Sequence, residues 1–485
     1  MNIILKISYL ACFSIIFNAS FAQQIKTPPK NISKPNIIFI LADDLGYGDI
    51  GVYGQQKIKT PNIDRMAKQG MMFTQFYSGT SVCAPSRSSF ITGQHTGHTP
   101  IRGNKETKPE GQWPLPANAV TVAEILKGAG YTNGCFGKWG LGFIETNGNP
   151  LKQGFDRFYG YNCQAQAHNY FPDHLWDNNT RVELSNTLTK QPQYAADMIQ
   201  EKAMNFLDDN QNKPFFLFLA YTLPHAALQL PKGDMAFENY KKLFREKPKT
   251  VSDSLWIARG GKGYQSQPYP HAAYAAMVTK LDNYVGDVVR KLKELNIDKN
   301  TLIVFASDNG PHIEGGNDPA FFNSNAGLRG TKRDLYEGGI RTPFIANWPG
   351  TISPGSKSKH IGAFWDLLPT FAELAGIKTS DDIDGISIVP TLLRKSNQKQ
   401  HEFLYWEFHE NGGRQAVRFG NWKGVKYTAA EKQDSPIQLY NLLNDRGEKN
   451  DLSGQHPDIV KKIDEIMKRE HVENADFPFN NRQNL

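Results

Sequence analysis

The sequence predicts an α/β fold with a mixed, mostly parallel central sheet flanked by helices, followed by a small α+β domain with an antiparallel sheet. Apolar runs of strand length alternate with amphipathic helical segments up to Pro390, and past that residue the runs are shorter and separated by Gly, Asn and Asp. Strands buried on both faces form continuous hydrophobic runs, and crossover helices connect them in parallel order. Short strands with turn residues between them are typical of hairpins.

Four apolar runs are the predicted strands of the central sheet: Asn36–Ala42, Pro214–Ala220, Thr301–Ala306 and Pro343–Asn347. Helical patterns lie between and after them, at 60–70, 121–130, 272–295 and 366–375. The second of these opens with a capping box, in which the side chains of Thr121 and Glu124 bond each other's backbone amides. Such start signals support the assignment of these segments as helices.

The C-terminal part of the chain has its own pattern. Strands are predicted at 403–408, 414–419, 422–427 and 437–440, and an amphipathic helix at 457–469. A mature chain of about 460 residues exceeds what one simple domain usually holds. We therefore predict a large domain at 23–396 and a C-terminal α+β domain at 397–485.

The N-terminus predicts a secretory signal peptide, residues 1–22. Lys6 precedes an apolar run from Ile7 to Phe17, and Ser20 and Ala22 have the spacing that signal peptidase cuts. The run is shorter than the roughly 20 residues of a spanning helix, and no later segment suits one, so no stable membrane insertion is expected. Cleavage near Ala22 gives a periplasmic or extracellular protein. Lipidation at Cys12 is a less favoured alternative, because Tyr9 stands where such signals usually carry Leu.

The net charge limits the classes of ligand that the protein can bind, and the cysteine count limits its disulfides. A formal net charge of +7 is spread along the chain, which fits an anionic small ligand or glycan and not duplex nucleic acid. The basic run at 241–249 is either a rim for an anionic polymer or a solvated helix face. Removal of the signal peptide leaves Cys83, Cys135 and Cys163, and an odd count leaves at least one thiol unpaired. Cys83 is the candidate, with the other two free or paired.

Two pairs of polar residues follow predicted strands. Asp43 and Asp44 end the first strand, and Asp308 and Asn309 end the third. Because the carboxyl ends of parallel strands meet at one edge, we expect these four side chains to converge there. All-oxygen ligation favours Ca²⁺ or Mg²⁺ over zinc. The alternative is that both pairs only form turns, as Asp and Asn commonly do after strands.

The segment SVCAPSRSSFITG, residues 81–93, predicts a short helix with Cys83 at its start. Pro85 suits the first helical turn and Gly93 suits the end. The amide groups at a helix start favour an anion, and Arg87 one turn on adds a fixed cation. A stabilised thiolate, and hence a cysteine hydrolase, is a second interpretation, but it gives no use for a hard cation at the same edge.

The sequence CAPSR at 83–87 resembles the C-x-P-S-R signature of the formylglycine-dependent sulfatases. Further motifs resemble the same family: DDLGYGD at 43–49, GYTNGCFGKWGLG at 130–142, SDNG at 307–310 and LRGTKRDLYEGGIRTP at 328–343. The resemblance implies an alkaline-phosphatase-like fold for residues 23–396. It also implies that a separate maturation enzyme, acting on the unfolded chain, oxidises Cys83 to formylglycine.

The resemblance further implies a role for each matching residue. One Ca²⁺ is held by Asp43, Asp44, Asp308, Asn309 and the modified Cys83. Arg87 holds the hydrated aldehyde, and Lys138 and Lys332 contact the sulfate or the formylglycine. His225 protonates the leaving oxygen, which a sugar alkoxide requires because it is a poor leaving group. One hydroxyl of the hydrated aldehyde attacks sulfur, and the second later expels the sulfate.

One position departs from the family pattern. Where the family commonly has G-K-W-H-L-G, this sequence has Gly140 in place of the histidine. Either sulfate release proceeds without that side chain, or another histidine replaces it. His168 and His174 are the candidates, and we favour His168, while a packing or substrate-contacting role for it stays open.

These motifs together predict a secreted sulfatase that hydrolyses sulfate monoesters, with O-sulfated sugars of a glycan as the expected substrates. The segment 160–176 resembles bacterial sulfatases that act on galactose-type residues. Two alternatives remain: a phosphate or phosphonate monoester hydrolase of the same superfamily, and a catalytically silent homologue that binds glycans.

Overall fold

The computed structural model describes residues 34–479, except for 109, 251–252, 259, 261–262 and 433. The predicted signal peptide and the alternative of lipidation at Cys12 lie outside these residues. Among the helices in the described ranges, none has the length and apolar character needed to cross a membrane.

The strands are, in chain order, β1 (Asn36–Ala42), β2 (Met71–Phe73), β3 (Phe76–Tyr77), β4 (Thr132–Lys138), β5 (Arg157–Tyr161), β6 (His174–Asp177), β7 (Thr180–Glu183), β8 (Phe215–Ala220), β9 (Thr301–Ser307), β10 (Phe344–Asn347), β11 (Ser356–Ser358), β12 (Gly362–Ala363), β13 (Phe403–Phe408), β14 (Arg414–Phe419), β15 (Trp422–Tyr427) and β16 (Ile437–Asn441). All of the strands predicted from the sequence are present, with ends that differ by at most one residue.

The helices are α1 (Pro61–Lys68), α2 (Cys83–Thr92), α3 (Val122–Gly128), α4 (Ala195–Asn210), α5 (Met235–Phe244), α6 (Ser254–Ala258), α7 (Pro270–Glu294), α8 (Pro319–Phe322), α9 (Glu337–Ile340), α10 (Leu367–Leu374), α11 (Val389–Leu392) and α12 (Pro457–Glu470). The capping box predicted at the start of α3 is present, with Thr121 and Glu124 bonded reciprocally. The short helix predicted around Pro85 begins at Cys83 itself.

The central sheet has ten strands in the order β11-β2-β10-β9-β1-β8-β4-β5-β6-β7. The five strands from β9 to β5 in this order are parallel to one another. Strand β10 runs antiparallel to β9 and β2, and β6 and β7 form an antiparallel edge. The predicted mixed, mostly parallel sheet is thus confirmed, and its parallel part lies in the middle.

The central sheet separates two hydrophobic cores. Along β1, Ile38 and Ile40 belong to one core, whereas Ile37, Phe39 and Leu41 belong to the other. Helices α4 and α7 cover the first core, and α2, α3 and α10 cover the second. Full burial of one such side chain stabilises the fold by about 1.5–3 kcal/mol relative to its exposure. The sheet is therefore a rigid support for the residues that follow its strands.

The C-terminal sheet is antiparallel, in the order β13-β14-β15-β16. On one face Tyr405, Val417 and Leu439 pack against α12, and on the other Trp406 joins Trp365 of the preceding part of the chain. This confirms the small α+β unit with its antiparallel sheet. The boundary near residue 397 stays a prediction.

Candidate functional site

The carboxyl edge of the parallel strands carries the predicted site. Asp43 and Asp44 follow β1, Asp308 and Asn309 follow β9, and Lys138 is the last residue of β4. Ligands of open α/β sheets bind at this edge, because the strand ends and the loops after them form a crevice there. The structure brings these residues together as expected.

The polar pairs after β1 and β9 contact each other directly. Asn309 Nδ2 donates to Asp44 Oδ1 at 2.7 Å, and the Asp44 backbone amide donates to Asp308 Oδ1 at 3.1 Å. Asp44 has a positive φ of 62°, a left-handed conformation that Asp adopts more readily than most residues. The side chains of all four residues, Asp43, Asp44, Asp308 and Asn309, are fully buried. The two turns therefore form one compact acidic cluster and not two separate loops.

Cys83 lies against this acidic cluster at the start of α2. Its Sγ donates to Asp43 Oδ1 at 3.3 Å and is 3.9 Å from Asp44 Oδ1. Burial raises the pKa of the Cys83 thiol well above its ordinary value, and the charge of Asp43 raises it further. A catalytic thiolate needs the opposite shift. The raised thiol pKa of Cys83 therefore does not support the cysteine-hydrolase interpretation.

Arg87 projects from α2 into the acidic cluster. Its Nη2 is 2.8 Å from Asp308 Oδ2 and 3.6 Å from Asp43 Oδ2, while Nη1 donates to the Lys138 carbonyl at 2.6 Å. Residue 87 is one helical turn from Cys83, so the two side chains share a face of α2. The arginine therefore ties the start of α2 to the ends of β4 and β9.

Two lysines contact the two carboxylates after β1. Lys138 Nζ is 2.6 Å from Asp43 Oδ2, and Lys332 Nζ is 2.7 Å from Asp44 Oδ2. Burial by itself raises the pKa of Asp43, but the charges of Lys138 and other cations outweigh it and hold that pKa well below its usual range. Burial, and then the charge of Asp43, raise the pKa of Asp308 to about 7. Carboxylates and cations this close interact strongly, because their side chains are buried and bulk water screens them little.

His225 lies in the loop after β8 and faces both Asp44 and Lys332. Its Nε2 is 3.2 Å from Asp44 Oδ2 and 3.0 Å from Lys332 Nζ, and its Nδ1 bonds the Ala226 carbonyl. Burial, and then the charge of Lys332, hold the pKa of His225 well below its ordinary value. The ring is thus fixed at Nδ1 and presents Nε2 to the cluster.

The structure separates the two histidines proposed for the missing position. The His168 ring is stacked on His225, with 4.9 Å between ring centroids and 3° between planes. His174 instead bonds Glu110 Oε2 and Asp173 Oδ1, both at 2.7 Å. Burial, and then the charge of Lys138, lower the pKa of His168 to about 3. His168 therefore belongs to the site as a neutral ring, and His174 is held elsewhere by carboxylates.

Two site residues were not found from the sequence. The ring of Tyr264 lies 5.1 Å from that of His168 and 6.1 Å from that of His225, and His312 is 5.8 Å from His225 on the histidine stack. His312 stands three residues after Asn309, so its proximity to the SDNG motif was a usable signal. Tyr264 comes from a loop between α6 and α7 that has no such motif.

Gly140 has no room for a side chain. Its φ is +74°, and a Cβ built on it would lie 2.1 Å from Gln164 Nε2. The space of the family histidine is therefore filled by a glutamine from the loop after β5.

The remaining two cysteines are both buried and form no disulfide. Cys135 lies within β4 and Cys163 follows β5, and each carries a free thiol. The sequence left open whether these two cysteines are free or paired, and in the structure they are free.

The acidic cluster fits a hard cation. Asp43, Asp44 and Cys83, together with His225, offer ligand atoms within 4.8 Å of one another. Within the described residues, the Asn309 Oδ1 atom is buried and has no hydrogen-bond donor. A buried carbonyl oxygen without a donor is costly unless a cation or water contacts it, and Ca²⁺ binds such oxygens together with carboxylates. Asp43, Asp44 and Asn309 are thus suited to the predicted Ca²⁺, whereas Asp308 lies outside this group and its carboxylate accepts from Arg87 Nη2 and the Asp44 backbone amide.

A sheet edge that gathers carboxylates, cations and a helix start is suited to binding an anionic group. The family model described as Sulfatase matches residues 35–377, and one described as N-sulphoglucosamine sulphohydrolase, C-terminal, matches 330–474. The chain therefore belongs to the sulfatase family, as the CAPSR motif predicted. It is a sulfuric ester hydrolase with an alkaline-phosphatase-like fold.

Curated relatives and solved structures agree with this assignment. The chain is 30% identical to N-acetylgalactosamine-6-sulfatase of Rattus norvegicus over 484 residues, which covers 90% of this chain and 85% of the relative. It is 33% identical to arylsulfatase of Hemicentrotus pulcherrimus over 417 residues, covering 80% and 67% of the two chains. The crystal structure of Ps i-CgsB is 31% identical, with a TM-score of 0.77 over 92% of this chain and 94% of that one.

Proposed function

We propose that this protein is a formylglycine-dependent, Ca²⁺-binding sulfatase that removes O-sulfate groups from sugars of a glycan. The observation that carries the proposal is the position of Cys83: its Sγ is 3.3 Å from Asp43 Oδ1, at a helix start whose raised thiol pKa gives a thiolate no support. Oxidation of Cys83 to formylglycine by a maturation enzyme would replace this inert thiol with an aldehyde. The hydrated aldehyde would supply the nucleophilic oxygen.

The proposed ligands of Ca²⁺ are Asp43, Asp44, Asp308, Asn309 and the modified Cys83. When bound, the ion would polarise the nucleophile and the sulfate oxygens. Three carboxylates of this cluster face three cations, namely Arg87, Lys138 and Lys332, so these six side chains sum to zero formal charge. A divalent cation would leave the site positive, which suits an anionic sulfate ester.

The cations and histidines of this chain have separate proposed roles. Lys138 and Lys332 bind sulfate oxygens, and Arg87 orients the hydrated aldehyde. Both lysines are almost fully buried, so their charges act with little screening on the charge that develops during transfer. His225 presents Nε2 beside Lys332 and donates a proton to the leaving sugar oxygen. A sulfate anion next to this ring favours its protonated form.

His168 has a proposed role on the sugar side of the site. It is stacked on His225, and burial holds its pKa at about 3, so the ring is neutral. In a neutral imidazole, one ring nitrogen donates a hydrogen bond and the other accepts one. Of the roles left open by the sequence, contact with the substrate fits this position best.

The substrate class is proposed from the relatives. N-acetylgalactosamine-6-sulfatase carries a galactose-type sugar in its name, and Ps i-CgsB has been solved in complex with k-i-k-neocarrahexaose. Together with the resemblance of the 160–176 segment, these names support O-sulfated galactose-type residues of a glycan. Secretion through the predicted signal peptide would bring the enzyme to such a polymer outside the cytoplasm.

Activity of the Cys83→Ala variant tests the proposal, with Cys135→Ala as the matched control. Both thiols are buried, but Cys135 lies within β4 and has no hydrogen bond to the acidic cluster among those found in the described residues, whereas Cys83 Sγ donates to Asp43. We expect Cys83→Ala to abolish release of sulfate from sulfated galactose-type saccharides, and Cys135→Ala to retain it. Chelation of the native enzyme should abolish activity, and added Ca²⁺ should restore it. Full activity after thorough chelation would exclude the Ca²⁺ part of the proposal.

A further inference from the structure

Two buried amide side chains in the loop after β5 have polar atoms without partners among the described residues. Within the described residues, neither Asn162 Nδ2 nor Asn162 Oδ1 has a hydrogen bond, and the same holds for Gln164 Nε2. Asn162 is fully buried and Gln164 is 5% exposed. An unmade hydrogen bond of this kind costs about 1–3 kcal/mol, and buried polar groups in folded proteins nearly always have a partner. These three atoms are therefore free to bind a partner that is not part of the chain.

The two amides lie at the catalytic edge of the sheet. Tyr161, the last residue of β5, is paired with Lys138, the last residue of β4. Beyond this pair, the Gly140 backbone amide donates to the Asn162 carbonyl at 3.0 Å. The residues after β5 thus continue alongside those after β4, next to the lysine that contacts Asp43.

A second connection leads from Gln164 to the start of α2. The Gln164 backbone amide donates to Gln112 Oε1 at 3.2 Å, and Asn104 Oδ1 accepts from the Ala84 backbone amide at 3.1 Å. Residues 104 and 112 belong to one loop, so this loop contacts both the Gln164 backbone and the residue after Cys83. The backbone of residues 162–164 therefore connects the end of β4 with the loop that reaches the start of α2.

The side chain of Gln164 lies where a side chain at position 140 would begin. A Cβ there would overlap Gln164 Nε2 at 2.1 Å, so the glutamine side chain occupies the space that opens when residue 140 has none. The nearest side-chain group at this point is thus an amide nitrogen, which donates hydrogen bonds and carries no charge.

We propose that Asn162 and Gln164 bind the sulfate group, donating their amide N–H groups to its oxygen atoms. The inference rests on the proposed function, in which the sulfate lies between Lys138, Lys332 and Cys83. Sulfate oxygens only accept hydrogen bonds, and Asn162 Nδ2 and Gln164 Nε2 are free donors. The lysines supply charge, while the two amides supply directed bonds that fix the orientation of the sulfate. Together they take the place of the histidine that the family commonly has at position 140.

Inhibition by inorganic sulfate tests this assignment, because it reports on sulfate binding without a chemical step. Gln164→Glu and Asn162→Asp keep the shape of each side chain but replace the donor with an acceptor that repels sulfate. We expect each to raise the inhibition constant of sulfate, and to lower kcat/KM for a sulfated galactose-type saccharide, at least tenfold, which corresponds to about 1.4 kcal/mol. The control is Gln153→Glu, a buried glutamine whose amide donates to the Asn147 carbonyl.

Thermal unfolding of each variant separates binding from folding. If the acidic variants do not fold, Gln164→Met and Asn162→Ala remove the donor without adding charge, and we expect a three- to tenfold rise in the same inhibition constant, about 0.7–1.4 kcal/mol. Unchanged sulfate inhibition in folded variants at both positions would overturn the inference, and would mean that the amides hold buried water only. This outcome is distinct from failure of the proposed function, which would show as Ca²⁺-independent activity or as activity of Cys83→Ala.

Discussion

At the level of single residues, charge compensation decides how the site is built. Asp43, Asp44 and Asp308 are fully buried, and an ionised carboxylate without a partner is very costly in such surroundings. Each has a cation within 2.8 Å, supplied by a different part of the chain. The carboxylates of this group suit a divalent cation, and its basic side chains suit an anionic substrate. Charge therefore explains why all these residues converge on one edge of the sheet.

The fit between Gly140 and Gln164 gives a stability prediction. Gly140→Ala places a Cβ 2.1 Å from Gln164 Nε2 at a φ of +74°. We expect a loss of about 1–2 kcal/mol from the left-handed conformation and a further loss of about 1 kcal/mol from overpacking, at the low end because the end of the Gln164 side chain can move. In a Gln164→Ala background the overpacking disappears, so only the first loss remains. Denaturant unfolding of the two single variants and the double variant measures this coupling. Equal losses from Gly140→Ala in both backgrounds would contradict the assigned packing.

Much of the site could be predicted from single residues next to strands. Asp43, Asp44, Asp308 and Asn309 follow long apolar runs, and the CAPSR motif marks Cys83 and Arg87 locally. Asn162 and Gln164 lie in the 160–176 segment, but its resemblance indicated no role for either residue, and Tyr264 comes from a loop without a motif. The positions of these residues depend on how β5 pairs with β4 and on how the loop after α6 folds back, which are long-range contacts.

At the level of elements, apolar runs predicted β1, β8 and β9, because strands buried on both faces have no polar positions. Strand β4 was not assigned as a strand from its sequence TNGCFGK, which has no such run. Its Gly137 lies where a Cβ would be 2.0 Å from the Ala220 carbonyl oxygen, so close contact with β8 requires the glycine. The antiparallel direction of β10 was also hidden, since an apolar run carries no information about direction.

The capping box of α3 gives a prediction at this level. Thr121 Oγ1 accepts from the Glu124 backbone amide at 3.1 Å and donates to the Gln153 carbonyl at 2.8 Å. We expect Thr121→Ala to lower the free energy of unfolding by about 0.5–2 kcal/mol, because a helix-start amide loses its acceptor. Turnover per folded molecule should not change, as α3 contributes no site residue. The exposed Thr180→Ala is the control, with an expected change within about 0.5 kcal/mol. A Thr121→Ala variant as stable as the native protein would refute this account of the helix start.

For the whole molecule, a buried ionic network joins the C-terminal sheet to the rest of the fold. Lys423 on β15 is fully buried, and its Nζ is 3.0 Å from Glu337 Oε1 on α9. Glu337 also accepts from Tyr77 and is 3.1 Å from Arg341. Burial alone raises the pKa of Glu337, but the charges of Lys423 and Arg341 outweigh it and lower that pKa to about 2. Glu337 stands five residues after Lys332, so the network also supports the loop that carries this site lysine.

Loss of this network should destabilise the molecule. Lys423→Met leaves Glu337 and Glu448 without the lysine, and removal of one partner of a buried ion pair typically costs about 3–5 kcal/mol. Urea unfolding followed by fluorescence measures the loss, with the exposed Lys461→Met as the control. An unchanged unfolding midpoint in Lys423→Met would show that the two parts of the fold are joined mainly by apolar contacts, such as that of Trp365 with Trp406.

The central claim is that Cys83 is not a thiol in the working enzyme. Its contact with Asp43 places it in the acidic cluster, and its raised thiol pKa gives a thiolate nucleophile no support, so the proposed reaction needs the formylglycine to supply the nucleophilic oxygen. The most direct test is the mass of the peptide that contains residue 83, taken from native protein with measured sulfatase activity. We predict an aldehyde in place of the thiol, in proportion to the specific activity. Fully active protein with an unmodified thiol at Cys83 would contradict the account.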